Sequence, residues 1–151
     1  MRNAFWMGAG LALLFTAAPL NAAEPIEDTV KASLENYILA WNEPDESTRR
    51  ELLTGHWTTA GTYTDPSGYA EGLEGLVTHI GGFLGNPQFK GFSIVRTSGI
   101  DIHHRSFRFT WEMRNTSGAA VTAGMDYGEF DEQGRITKIV GFFGPYPELE
   151  K

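Results

Sequence analysis

A carboxyl inside a strand is the first feature that asks for a chemical reason. Asp126 falls in 119–130, a run whose alternation marks a strand, and Asp is depleted in strands and seldom fully buried unless paired. It shares strand parity with Gly124, Gly128 and Phe130. Two glycines beside a carboxyl on one face leave room for a ligand, and apolar walls would raise the carboxyl's pKa. The other reading is an ion pair, with Arg108 or Arg135 as partner. Asp65, before Pro66-Ser67-Gly68, ends a second strand; it could reach a pocket, or bind its own backbone as a turn former. Tyr37, on an apolar helix face, is either a pocket group or a core residue with a satisfied hydroxyl.

Other chemistries are poorly supplied. The chain has no cysteine, which excludes disulfides, thiolate catalysis and Cys-based zinc sites. His103 and His104 are neighbours in a predicted strand, so they point to opposite faces and do not share one metal. With only His56 and His79 besides, no metal site is expected. Parity favours His104, beside Ile102, as the one that enters a cavity; a surface position is the alternative. No phosphate-binding or dinucleotide-binding glycine loop follows a strand.

The elements that must hold these residues read as a helical front and a strand-rich back. Val30, Leu34, Tyr37, Ile38 and Trp41 recur at helical spacing, and Asn42-Glu43-Pro44 stops that helix. Asp45 is placed to cap a short second helix, with Leu52, Leu53 and Trp57 inward and Arg49, Arg50 and Glu51 in water. Residues 59–65 alternate as a strand. A third helix is predicted over 73–84, left through Gly85-Asn86-Pro87. Period two then predicts strands over 92–104, with a kink at Ser98-Gly99, and over 106–115, 119–130 and 135–143. Short turns between them predict an antiparallel meander. The sum is one α+β domain over 24–151, three helices packed on one face of a curved sheet.

Tyr37-Ile-Leu-Ala-Trp-Asn, Tyr63-Thr-Asp-Pro66, Gly72/Gly75 and Phe130-Asp-Glu-Gln-Gly-Arg-Ile136, in that order, resemble the nuclear-transport-factor-2-like superfamily, and within it the SnoaL-like and ketosteroid-isomerase branch. The resemblance spans about 26–144. It implies a cone-like curved, mostly antiparallel sheet whose concave side holds a small hydrophobic molecule. It also implies roles: Tyr37 as an oxyanion-hole donor, Asp65 as general base, and Asp126 as a second donor kept protonated, a tuning for which ketosteroid isomerase is the worked case. The separation of Tyr37 from Asp65 is about four residues longer than in the isomerases, with the extra length around 45–49. His104, Gly124, Gly128, Phe130 and Trp41 are then expected to line the ligand site.

Composition narrows the partners. Twelve Lys+Arg against 19 Asp+Glu leave a net charge of −7, which repels nucleic-acid backbones. Residues 1–23 carry Arg2, an apolar run over 4–18 and the small residues Asn21-Ala22-Ala23, the layout of a secretory signal rather than a membrane anchor. An exported protein, periplasmic or secreted, is expected. The aromatic face of 106–115 makes a homodimer plausible. The expected function is cofactor-independent proton transfer next to a carbonyl, in a small, largely apolar, oxygen-bearing molecule, as an isomerase or cyclase does. The rival is a non-catalytic ligand-binding or dimerisation module; a hydrolase using Asp126 and Arg108 is a third reading.

Overall fold

The computed structural model describes residues 26–150; the leader read at 1–23 lies outside them. Helix α1 (Ile26–Ala40) is followed by α2 (Glu46–Leu53), strands β1 (Trp57–Asp65) and β2 (Gly68–Glu71), and α3 (Gly72–Leu84). A 3-10 turn (Pro87–Phe89) leads to β3 (Ser93–Arg96), β4 (Asp101–His103), β5 (Ser106–Arg114), β6 (Ala120–Phe130) and β7 (Ile136–Phe143). The three helices pack on a curved, mostly antiparallel, unclosed sheet, the α+β cone that the sequence predicts. No helix among the described residues is long and apolar enough to cross a membrane.

Helices α1 and α3 bury the stripes their spacing marks out. Val30, Leu34, Tyr37 and Ala40 of α1 are buried against Leu76, Val77 and Ile80 of α3 and Phe107, Phe109, Ile136 and Ile139 of the sheet, within one core. Asp45 caps α2, its Oδ1 accepting from Thr48 N at 2.8 Å. Arg49 departs from expectation: it is buried, 3% exposed, not in water. Its guanidinium donates to three backbone carbonyls, Glu43 at 2.7 Å, Pro44 at 3.3 Å and Val77 at 3.1 Å, tying the α1–α2 connection to α3. Gly81 leaves it space, since a Cβ there would lie 2.8 Å from Arg49 Nη2.

The sheet order is β2-β1-β7-β6-β5-β3, with β4 also paired to β5. β5, β6 and β7 form the expected meander, but β7 then inserts beside β1 and pairs with it in parallel. The predicted strand 92–104 is two strands, β3 and β4. Between them Ser98 Oγ accepts from Thr110 N at 2.9 Å, substituting a side chain for the ladder carbonyl. The turn at Asp65-Pro66-Ser67-Gly68 closes a hairpin, so β2 follows where no strand was predicted. Across the centre of the sheet Phe109, Asp126 and Gly141 stand in one row.

Candidate functional site

The inward stripes of α1 and α3 and the helix-facing residues of the sheet enclose a cavity of about 640 Å³, within the size range of small-molecule sites. Trp41, Phe83, Phe89, Trp111 and Phe143 supply apolar wall; Tyr37, Tyr63, Asp65, His79 and Asp126 supply the polar groups. Two carboxyls therefore open onto one largely aromatic space.

Asp126 is 4% exposed. Its Oδ2 accepts from the Tyr37 hydroxyl at 3.1 Å and its Oδ1 from Trp111 Nε1 at 2.8 Å. Burial pushes its carboxyl up from 3.8 to about 6; the two hydrogen bonds pull it down, and the nearby Asp65 charge adds to the rise. The tyrosine answers in kind: burial first, then the Asp126 charge, hold the Tyr37 hydroxyl well above its usual value. Such a carboxyl can lose and regain a proton near neutral pH, which suits general acid–base work.

Asp65 serves two structures at once. Its Oδ1 accepts from Ser67 N, Ser67 Oγ and Gly68 N at 2.7, 2.7 and 2.9 Å, the turn-forming role open from the sequence. Its Oδ2 accepts from the Tyr63 hydroxyl at 2.7 Å, and burial, followed by this bond, raises the tyrosine's pKa far above its usual value. Gly141 is where the two acids meet. A Cβ at that position would lie 3.0 Å from Asp126 Oδ1 and 3.3 Å from Asp65 Cβ, so these two atoms are within about 6 Å of each other.

Of the residues singled out in the sequence, Tyr37, Trp41, Asp65 and Asp126 border the cavity. Gly124, Gly128, Phe130 and His104 do not. The glycines share the Asp126 face, yet the space they leave is filled by protein: the Trp111 ring lies against Gly124 and the Phe107 ring against Gly128, each from the directly opposed residue of β5. Phe130 is buried in the core. His104 is exposed at the tip of the β4–β5 hairpin, with φ of 54° and Arg105 at 109°; the strand ends at His103, so parity no longer governs its direction. Neither candidate cation pairs with Asp126, because Arg108 binds Asp101 at 2.9 Å and Arg135 binds Asp131 at 2.7 Å. Among the described residues no three His, Asp or Glu side chains converge as metal ligands do. Sequence reasoning missed Trp111, Tyr63, His79 and Gly141. Parity could have flagged two of them, since Tyr63 is two residues before Asp65 and Trp111 shares its face with Phe107 and Phe109.

No family model and no curated protein matches the sequence. Solved structures do match. A SnoaL-like family protein from Agrobacterium tumefaciens, assigned as an isomerase, is 30% identical over 78% of this chain and 99% of its own, with a TM-score of 0.71. A protein from Jannaschia sp. CCS1, assigned as a SnoaL-like polyketide cyclase, is 14% identical over 82% and 90% of the two chains, with a TM-score of 0.57. A SnoaL-like protein of unknown function from Burkholderia thailandensis is 16% identical over 81% and 100%, with a TM-score of 0.58.

Proposed function

The chain belongs to the SnoaL-like family, and we propose that its cavity binds a small, largely apolar, oxygen-bearing molecule and moves a proton next to a carbonyl without a cofactor. The observation that carries this reading is a buried carboxyl with a pKa of about 6, Asp126, opening onto an aromatic cavity. The isomerase-like assignment of the Agrobacterium relative points the same way.

The hydrogen bonds redistribute the roles implied by the resemblance. Tyr37 and Trp111 both donate to Asp126, so above pH 6 its carboxylate is an acceptor held in place by two donors rather than a donor itself. Asp126 is then the base that takes the proton and, once protonated, the acid that returns it. Asp65 accepts four hydrogen bonds, three from its own turn and one from the Tyr63 hydroxyl, which suits it to hold that turn in place rather than to carry the proton. The same acid–base pair of states would serve an isomerisation or an intramolecular aldol closure.

Solvent exchange tests the proton-transfer step directly. A panel of fused-ring ketones and enones is incubated with protein in D2O, and deuterium entry beside the carbonyl is followed by NMR. The wild-type protein is expected to accelerate exchange, and Asp126→Asn to reduce that acceleration about 10²- to 10⁴-fold, the usual worth of a general base. If no member exchanges while such compounds still raise the melting temperature, the site is a binding module and the catalytic reading is wrong.

A further inference from the structure

Resting on the proton-transfer reading above, we infer that His79 is the hydrogen-bond donor that holds the guest's carbonyl oxygen while Asp126 works on the adjacent carbon. A carbonyl that loses a neighbouring proton develops negative charge on oxygen, and a positioned donor is needed there. The cavity's hydrogen-bond inventory leaves few candidates. The Tyr37 and Trp111 protons go to Asp126, and those of the Tyr63 and Ser67 hydroxyls go to Asp65. The Trp41 N–H lacks a partner among the described residues, but it is completely covered. No Lys or Arg lines the cavity.

Four polar side chains remain on the wall: Thr78, His79, Asn86 and Thr122. Thr78 is exposed. Thr122 stands four residues from Asp126 along β6, about 13 Å away. Asn86 follows the end of α3, seven residues on from His79, about 10 Å along the axis if the helix continued. His79 lies beside the Tyr63–Asp65 pair, on the same cavity wall that Asp126 borders. Its ring centroid is 5.0 Å from that of Tyr63, the donor to Asp65, and 6.0 Å from that of Trp41, edge-on. It is half-buried and has no hydrogen-bond partner among the described residues. Its seat is kept open by Gly68, where a Cβ would lie 2.9 Å from His79 Cε1 and 3.4 Å from Nδ1. An imidazole always carries at least one N–H, and Asp65, Asp126, Tyr37 and Tyr63 are the other titratable groups bordering this space.

The test compares a ketone that only accepts hydrogen bonds with an isostere that cannot. Dissociation constants for 2-acetylnaphthalene and 2-isopropenylnaphthalene are measured by equilibrium dialysis with wild-type protein, His79→Phe and His79→Gln. His79→Phe is expected to weaken the ketone relative to the alkene roughly two- to tenfold, the worth of one neutral hydrogen bond. His79→Gln, which restores an N–H donor, is expected to recover most of the loss. A ketone-to-alkene ratio unchanged in His79→Phe overturns the assignment of His79 while leaving the proposed function standing. The same holds if Asn86→Ala or Thr122→Val shifts the ratio instead. Failure of both compounds to bind the wild-type protein overturns both readings together.

Discussion

Replacing Asp126 by asparagine should change how stability depends on pH, and the size of that change follows from the burial of one carboxyl. In the fold Asp126 titrates at about 6 instead of 3.8, chiefly because burial disfavours its charge. The neutral form is therefore the one the fold prefers. Its contribution is full below 3.8 and is lost as the pH rises through about 6. The difference between the two values corresponds to about 3 kcal/mol of unfolding free energy. Other carboxylates act in the opposite sense: the Asp45 carboxyl is held low by the Thr48 backbone N–H and that of Glu74 by the Arg50 guanidinium. The wild-type curve alone would mix these effects. The informative quantity is the wild-type stability minus that of Asp126→Asn, from urea unfolding at several values between about pH 3.5 and 7.5. It should fall by about 3 kcal/mol across that interval, most steeply between about 4 and 6. A difference that stays flat, or rises with pH, would refute the account of Asp126 as a desolvated acid and remove the basis for its proposed role.

Three further outcomes are expected. Gly141→Ala puts a methyl group 3.0 Å from Asp126 Oδ1 and 3.3 Å from Asp65 Cβ; it should cost about 1–3 kcal/mol by urea unfolding and lower affinity for any guest of wild-type protein. Arg49→Met keeps the apolar stem but strips donors from the carbonyls of Glu43, Pro44 and Val77; a loss of about 2–4 kcal/mol is expected by the same assay. The double change His104→Asn with Arg105→Gly should stabilise by about 1–2 kcal/mol, because two side chains now hold positive φ at a hairpin tip that Asn-Gly fits well. The exposed Arg105–Glu132 pair it removes is worth little, and guest binding should not change.

How much of this could be read beforehand differs from one element to the next. α1, α3, β5, β6 and β7 announce themselves through long periodic stripes bounded by Gly, Asn and Asp, because burial of one face forces the pattern. The parallel pairing of β7 with β1 leaves no such trace, since it joins distant segments and no local turn encodes it. Asp126 stood out because a lone acid in an apolar strand demands compensation. The identity of that compensation did not, because it depends on the cross-strand register that lays Trp111 over Gly124. Arg49 was misread for a related reason. Amphipathic patterning counts every charge as solvated, whereas this one is satisfied by backbone carbonyls, which have no signature in the sequence. His104 shows that parity arguments expire where a strand turns.

The pairing of β1 with β7 also sets a timetable. Thr64 meets Val140 some 76 positions later, and only this join brings Asp65 beside Asp126. Closing so distant a loop is entropically slow compared with forming the helices or the β5–β6 hairpin. During ribosomal synthesis the two acids stay apart until the last strand emerges and slots into the middle of the sheet. A chain truncated before that strand would still carry Tyr37, Asp65, His79 and Asp126, yet it would have no hollow in which they could act together.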